Sequence, residues 1–453
     1  MSEQERPPIP RAMAIRIVVT LALVSAAFLM GLSIIRAGDL QHGYDFHHFY
    51  LDARYLIEHG ELNTRDDLSA GDEDRSRLPW YLPSAVIAFT PFAVAGPWIG
   101  GVLWATLNMA ALLAVIWLVG RRISGLPPGD WILTQAVPVW LCGAAIYEHA
   151  RFNQTAVLVL LLVVVAYVLL EKHHDGWAGL ALAAACLIKL LPALFVVWLA
   201  LKRKWLAVTV AVVAAATLEL VPSLVLFGPA KTVEYHRRWA RNALVYGSAV
   251  HMLMHPDDAM YVRRHRTFID YRNQSLAMVI GRVSGVVDGS RQTSSRTVLN
   301  PAAAVTVYVV INAVVAGLLL WLSRGPWRRL RPDQRACEWA LWLLAMLWFS
   351  PLMRQYYLIW AYPALAVLLA RADLHRQVNR SGWPAWTALV IWLVAMFAWG
   401  LDQTLFNHAA RALGVNLWSV LVLGVMLAVE WARPAPPDWT TSSADQHFEA
   451  LSA

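Results

Sequence analysis

Apolar and polar residues alternate along this chain in long blocks. Apolar runs occupy 13–35, a stretch ending near Gly120, 131–147, 154–170, 177–201, 205–227, 301–323, 337–350, 357–370, 383–400 and 414–431. Most approach or reach the roughly 17–25 residues that an α-helix needs to cross a hydrocarbon core ~30 Å thick. One run resists a single helix. As one span, 177–201 would put Lys202, Arg203 and Lys204 on the side opposite Lys172, against the rule that basic loops stay cytoplasmic. Pro192 removes a backbone donor and disfavours helical geometry in the residue before it. The run is therefore predicted to break near Lys189–Pro192 into two short helices with both ends on one side. The pattern predicts an all-α integral membrane protein with about twelve transmembrane helices. The segment 82–96, with Pro83 and Pro91, reads as a short re-entrant or lead-in piece.

Charge placement then orients the spans. Arg6, Arg11 and Arg16 precede the first run, and Arg121 with Arg122, Lys202 to Lys204, Arg324 to Arg335 and Arg371 to Arg380 fall on the same side. That places both termini in the cytoplasm of a multi-pass plasma (inner) membrane protein. Two segments on the other side are too long for connectors: 36–82, rich in Asp and Glu, and 229–300. Both are expected to be extracytoplasmic loops. Residues 1–435 read as one polytopic membrane domain, and 436–453 as a polar, disordered cytoplasmic tail.

Composition excludes the main alternatives. With 58% hydrophobic and 15% charged residues, the chain is too apolar for a soluble multidomain protein. Its net charge of +8 suggests a nucleic-acid partner only until its distribution is read, because the basic residues lie in short blocks between apolar runs. Cys142, Cys186 and Cys337 sit in or beside apolar runs, so neither a disulfide framework nor CxxC metal spacing is present.

Candidate chemistry concentrates in the outer segments. Phe46, Phe49, Tyr50, Ala53 and Ile57 recur at helical spacing and Gly60 supplies a stop, giving an amphipathic helix that suits the membrane surface. Asp45 precedes its first apolar residue. There it serves as an N-cap, as a general base, or as both, since a capped carboxylate stays ionised. His47, His48 and Asp52 lie nearby, but adjacent histidines diverge by about 100° on a helix, so no metal is expected and polar site lining is preferred. Lys189 lies inside an apolar run, where a charge either snorkels or serves a function. Arg354, in Ser350-Pro351-Leu352-Met353-Arg354-Gln355-Tyr356-Tyr357, is either an interfacial anchor or a fixed cation for a phosphate.

Taken in order, Asp45, Tyr81 with Pro83, Gln154, Lys189 with Pro192, Asn273-Gln274-Ser275 and Ser350-Pro351 resemble glycosyltransferase family 87. These are membrane-embedded GT-C enzymes related to polyprenol-phosphate-mannose-dependent mannosyltransferases of mycobacterial cell-envelope synthesis. The resemblance runs from about 40 to about 370. It implies a GT-C-type bundle that transfers one hexose, mannose preferred, from a polyprenyl-phosphate donor to a glycolipid or glycan acceptor outside the cytoplasm. It also implies inversion at the anomeric carbon and Asp45 as base. Lys189, Arg354, His47, His48, Tyr81, Gln154, Asn273, Ser275, Tyr356 and Tyr357 are then the donor-phosphate and substrate-binding candidates, with no cofactor. Three departures stand out: Trp80-Tyr81-Leu82-Pro83 replaces a Tyr-Pro-Pro, Asn153 replaces the usual Gly before Gln154, and Tyr356-Tyr357 replaces paired histidines.

The rival reading is a polytopic transporter or flippase for a lipid or polyisoprenoid. Transporters place ionisable residues near the midplane and show internal repeats. No repeat is seen here, and Lys189 stands as the only clear charge within the membrane.

Overall fold

The computed structural model describes residues 11–38, 45–62, 81–123, 131–241, 243, 248–255, 271–285, 299–377, 381–405 and 409–434. Among them every regular element is helical. The first half comprises α1 (Arg11–Gly38), α2 (Asp45–His59), α3 (Pro83–Val94), α4 (Gly96–Leu118), α5 (Trp131–Leu141), α6 (Gly143–Phe152), α7 (Ala156–Glu171), α8 (Asp175–Ile188), α9 (Leu194–Leu201) and α10 (Trp205–Ala240). The remainder comprises α11 (Ala249–Met254), α12 (Leu276–Val283), α13 (Pro301–Leu322), α14 (Pro332–Trp348), α15 (Tyr362–Gln377), α16 (Trp383–Leu405), α17 (Ala409–Ala412) and α18 (Val415–Ala432). The tail 436–453, Trp80 and much of 63–80 and 256–298 lie outside the described residues.

Six helices are long and apolar enough to cross a membrane: Gly96–Arg121, Trp205–Ala240, Pro301–Leu322, Gln355–His375, Trp383–Leu401 and Val415–Ala432. The bent pair α6–α7 makes a seventh if counted as one span. By length and composition the described residues thus supply six or seven crossings against the expected twelve. Four further apolar stretches are shorter: Val24–Ala37, which is part of the 28-residue α1, Pro83–Val94, Asp175–Ile188 and Leu191–Leu201. The chain is a multi-pass helical membrane protein.

Breaks in the apolar runs create the polar ends of the bundle. α8 stops where Lys189 adopts extended backbone (φ −147, ψ 136), a 3₁₀ turn follows at Leu191–Ala193, and α9 runs back. Lys204 pairs with Asp175 at 2.9 Å, which closes the base of the hairpin and leaves Lys189 at its apex. The break and the return fall where Pro192 and the basic triplet predict them. Between α6 and α7 the chain turns by 120° at Asn153. Glu148, His149 and Arg151 fall in the last turns of α6, and His149 is buried.

Asn153 has φ 51, ψ 48, the left-handed conformation that Gly and then Asn adopt most readily. Its side chain accepts from Ser33 Oγ and donates to the Ser33 carbonyl at 2.9 Å, and its carbonyl accepts from Trp104 Nε1 at 3.2 Å. Asparagine thus supplies the backbone shape of glycine while tying α1 and α4 to the turn.

The amphipathic helix is α2. Its buried face comprises Phe46, Phe49, Tyr50, Ala53 and Leu56, whereas Ile57 is exposed. That face meets protein. Phe49 stacks on Tyr81 at 3.8 Å and on Phe89 at 5.1 Å, and Phe89 meets Trp104 edge-on at 5.1 Å. Such aromatic pairs contribute about 0.5–1.5 kcal/mol each beyond the area they bury. The apolar stripe is thus covered by α3 and α4 and not by lipid.

Candidate active site

Four segments converge at one end of the bundle: the start of α2, the α6–α7 turn, the α8–α9 apex and the stretch leading into α15. α2 begins at Asp45. The charges of Lys189, His48 and Arg354 act on its carboxyl, and the Gln154 amide faces it. Burial is the strongest influence and pushes the Asp45 carboxyl above the usual carboxylate range, against the opposing pull of Lys189, His48, Gln154 and Arg354. A carboxyl so raised is better matched to proton abstraction near neutral pH than an exposed one.

Lys189 donates to the Tyr357 hydroxyl at 2.7 Å, with Nζ 4.2 Å from that ring's centre. Tyr356 meets Tyr357 edge-on at 4.6 Å and lies within electrostatic reach of Asp45, Arg354 and Tyr81. Tyr81 closes another wall. Burial first, then the negative charges of Asp45 and Asp52, hold its hydroxyl well above the usual phenol range, so it remains a hydrogen-bond donor. Gln154 is fully buried, and apart from the pull of its amide on Asp45 it meets no partner within the protein. Unmet polar atoms at this depth cost free energy, and a ligand that supplies partners recovers it.

Arg354, 7% exposed, sits on backbone held from behind. Asn273 Oδ1 accepts from the Met353 amide at 3.0 Å and the Ser275 amide at 3.1 Å, while Nδ2 donates to the Pro351 carbonyl at 3.2 Å. The Gln274 amide adds a bond to the Met353 carbonyl at 2.8 Å. Ser275 is fully buried at the start of α12. Asn273 and Ser275, expected to bind substrate, lie in a segment that also braces the extended stretch presenting Arg354. His47 is buried in α2, its ring 6.4 Å from that of His48. Among the described residues no three His, Cys, Asp or Glu side chains converge as metal ligands do.

Sequence reading missed an ionisable group on the wall behind Tyr81. Glu219 lies buried in the middle of α10, so Lys189 is not the only charge inside an apolar run. The signal was present in Leu218-Glu219-Leu220, a lone carboxylate between leucines.

The cluster therefore offers a half-buried carboxylate of raised proton affinity, two cations, and neutral donors between them. Such a set suits proton abstraction from a hydroxyl beside a departing anion. Comparison with curated proteins and with solved structures finds no match. A family model does match: glycosyltransferase family 87, over residues 80–351. That stretch carries Tyr81, Gln154, Lys189 and Asn273, while Asp45 and Arg354 lie just outside it and are brought to it by the fold. With more than half its length so matched, the chain belongs to glycosyltransferase family 87.

Proposed function

We propose that this chain transfers one hexose, mannose by preference, from a polyprenyl-phosphate donor to an extracytoplasmic glycolipid or glycan, with inversion in a GT-C-type bundle. Asp45 accepts the proton of the acceptor hydroxyl as its oxygen bonds to the anomeric carbon. The bond from that carbon to the phosphate oxygen breaks at the same time, and the polyprenyl phosphate leaves with its charge facing Lys189 and Arg354. Tyr81, Gln154, Tyr356 and Tyr357 supply neutral hydrogen-bonding groups for the sugar. No metal enters this reading. The observation that carries it is the meeting of one carboxylate with two cations in a pocket at the end of a membrane-embedded bundle. A lipid-linked donor suits such a place, because its tail stays in the bilayer while its phosphate reaches the polar end.

The test uses the purified chain in lipid nanodiscs with an extract of envelope lipids as acceptor. Radiolabelled polyprenyl-phosphate hexoses are compared with the corresponding nucleotide hexoses. Transfer from the lipid-linked donors alone, with the mannosyl donor fastest, is the expected result. Transfer only from nucleotide sugars would overturn the donor class. Reporter fusions at 260 and at 329 test the sidedness: a cytoplasmic signal from the former would move the site to the other face.

A further inference from the structure

Glu219 stands on α10, a helix whose other faces are largely exposed to the surroundings. A carboxylate there is costly unless partnered. It accepts from Ser84 Oγ and, at 3.4 Å, from the Ser84 amide of α3. Its third partner is His236 Nε2 at 2.9 Å. His236 comes from the far side of Gly228, where φ 74 and ψ 171 interrupt the helix. The other ring nitrogen, Nδ1, lies 2.7 Å from the Thr232 carbonyl.

Both nitrogens of His236 therefore face acceptors. A neutral imidazole carries one N–H. The pair accordingly holds one proton more than a free carboxylate and a neutral imidazole would, whichever of the two residues carries it. Among the described residues no other ionisable side chain bonds to the pair. α3 offers none, Glu61 and Lys231 pair with each other at 2.9 Å, Glu234 pairs with Arg238 at 2.8 Å, and Asp175 with Lys204.

The cluster also touches both supports of the pocket. Ser84 lies three residues after Tyr81, which stacks on Phe49 of α2. Beyond Gly228, Tyr235 Oη accepts from the Leu62 amide at 3.3 Å, and Lys231 holds Glu61. The end of α2 is thus fastened to the segment that His236 anchors, and Asp45 begins the same helix.

We propose that Glu219 and His236 are positioning residues of the transfer site, a proton-holding clamp that fixes α2 and the Tyr81 segment and loosens when the proton leaves. The clamp rests on the reading of Asp45 as base. It is closed at low pH and loosens as pH rises, because a neutral imidazole beside a carboxylate has one N–H for two acceptors, so either Glu219 or the Thr232 carbonyl loses its donor.

Hydrogen exchange on the full chain in nanodiscs tests the clamp without any substrate. After correction for intrinsic rates, amides of 229–240 should exchange about tenfold faster near pH 8.5 than near pH 6. His236→Gln, whose amide donates to Glu219 without titrating, should remove that difference, and Glu219→Gln should also remove it. Equal corrected rates in the wild type, or a pH difference that survives in His236→Gln, would overturn the clamp. In the same preparations, kcat for transfer from a polyprenyl-phosphate mannose should fall about tenfold over that interval with KM little changed, and His236→Gln should flatten the decline. Transfer that ignores the exchange response removes the positioning role. An exchange response with no transfer from any lipid-linked hexose removes the function reading and leaves the clamp.

Discussion

The bundle has two polar ends, and they treat charge in opposite ways. At one end Arg371, fully buried, bonds through Nε to Glu430 at 3.0 Å, through one Nη to Asp333 and through the other to the Glu430 carbonyl at 2.9 Å. His375 and Arg433 complete the Glu430 carboxylate at 3.1 and 2.7 Å. Lys202 of the same end reaches Glu338 at 2.5 Å and the carbonyls of Ser323 and Gly325, each at 2.7 Å. Arg335 is paired twice with Glu171. At the other end Asp45 faces two cations across a pocket, and Gln154, apart from its pull on Asp45, meets no partner. α7 connects the two over 16 residues, roughly 24 Å of helix at ~1.5 Å per residue. Charge paired this closely fixes helices relative to one another, even with Glu338 Oε2 and His375 Nδ1 left unmet. Charge left with spare bonding capacity is the material of a reaction site.

The largest effect expected from breaking this contrast is at Asp45. Asp45→Asn keeps the size and much of the capping ability but removes the base, so transfer should fall by about 10²–10⁴-fold while the protein inserts and melts as before. Because burial raises the Asp45 carboxyl, the wild-type rate should rise with pH through a value above the usual carboxylate range, as the carboxyl loses its proton. That acidic limb should vanish in the variant. Residual transfer above a tenth of wild type, with the limb intact, would move the base elsewhere.

The opposite end should respond in stability and not in rate. Glu430→Ala leaves Arg371 with one carboxylate fewer in a dry environment, and breaking such a buried pair costs about 3–5 kcal/mol. Chemical denaturation in micelles should register that loss, with turnover per folded molecule unchanged. A drop in turnover without a drop in stability would show that the two ends are coupled.

How much of this was legible from sequence depends on which physical signal each element carries. The hairpin at Lys189 could be read because Pro192 and the basic triplet constrain it independently. The place of Asp45 at the start of α2 could be anticipated from the amphipathic run that follows it. The depth of α2 could not, because an apolar stripe does not say whether lipid or aromatic rings will cover it. The ionic end stayed hidden for a similar reason. Asp333, Arg371 and Glu430 are far apart in sequence, and each alone looks like a solvated loop charge. Asn273 could be identified as part of a motif, but its bonds to 351–353 could not be foreseen, since they are long-range and leave no local pattern.

Returning to the site, Lys189→Met and Arg354→Gln each remove a cation aimed at the leaving phosphate. Loss of a donor directed at developing charge costs roughly 10²–10³ in kcat, or about 2.7–4 kcal/mol. Lys189→Met also frees the Tyr357 hydroxyl, which then loses its 2.7 Å partner. Single-turnover measurements should show the deficit in the chemical step. Two variants that turn over normally would remove the phosphate from this pocket and leave both cations as structural, like those of the opposite end.

The smallest effect expected is the most discriminating. Asn273 sits behind the site, and its side chain holds the amides of Met353 and Ser275 and the carbonyl of Pro351. Asn273→Ala leaves those groups unmet at about 1 kcal/mol each, some of it recovered by local relaxation. The stretch 351–353 should loosen and Arg354 should lose its fixed direction, so transfer should fall about tenfold, less than on removing the guanidinium itself. Asn273→Asp, which retains the acceptor for the two amides, should recover most of the loss. Because Asn273 acts through Arg354, adding Asn273→Ala to Arg354→Gln should cost little more, a non-additivity that a double-mutant cycle reads directly. Strict additivity of the two losses would mean that Asn273 contacts the sugar or acceptor on its own account, and the boundary between bracing and binding residues would move one layer inward.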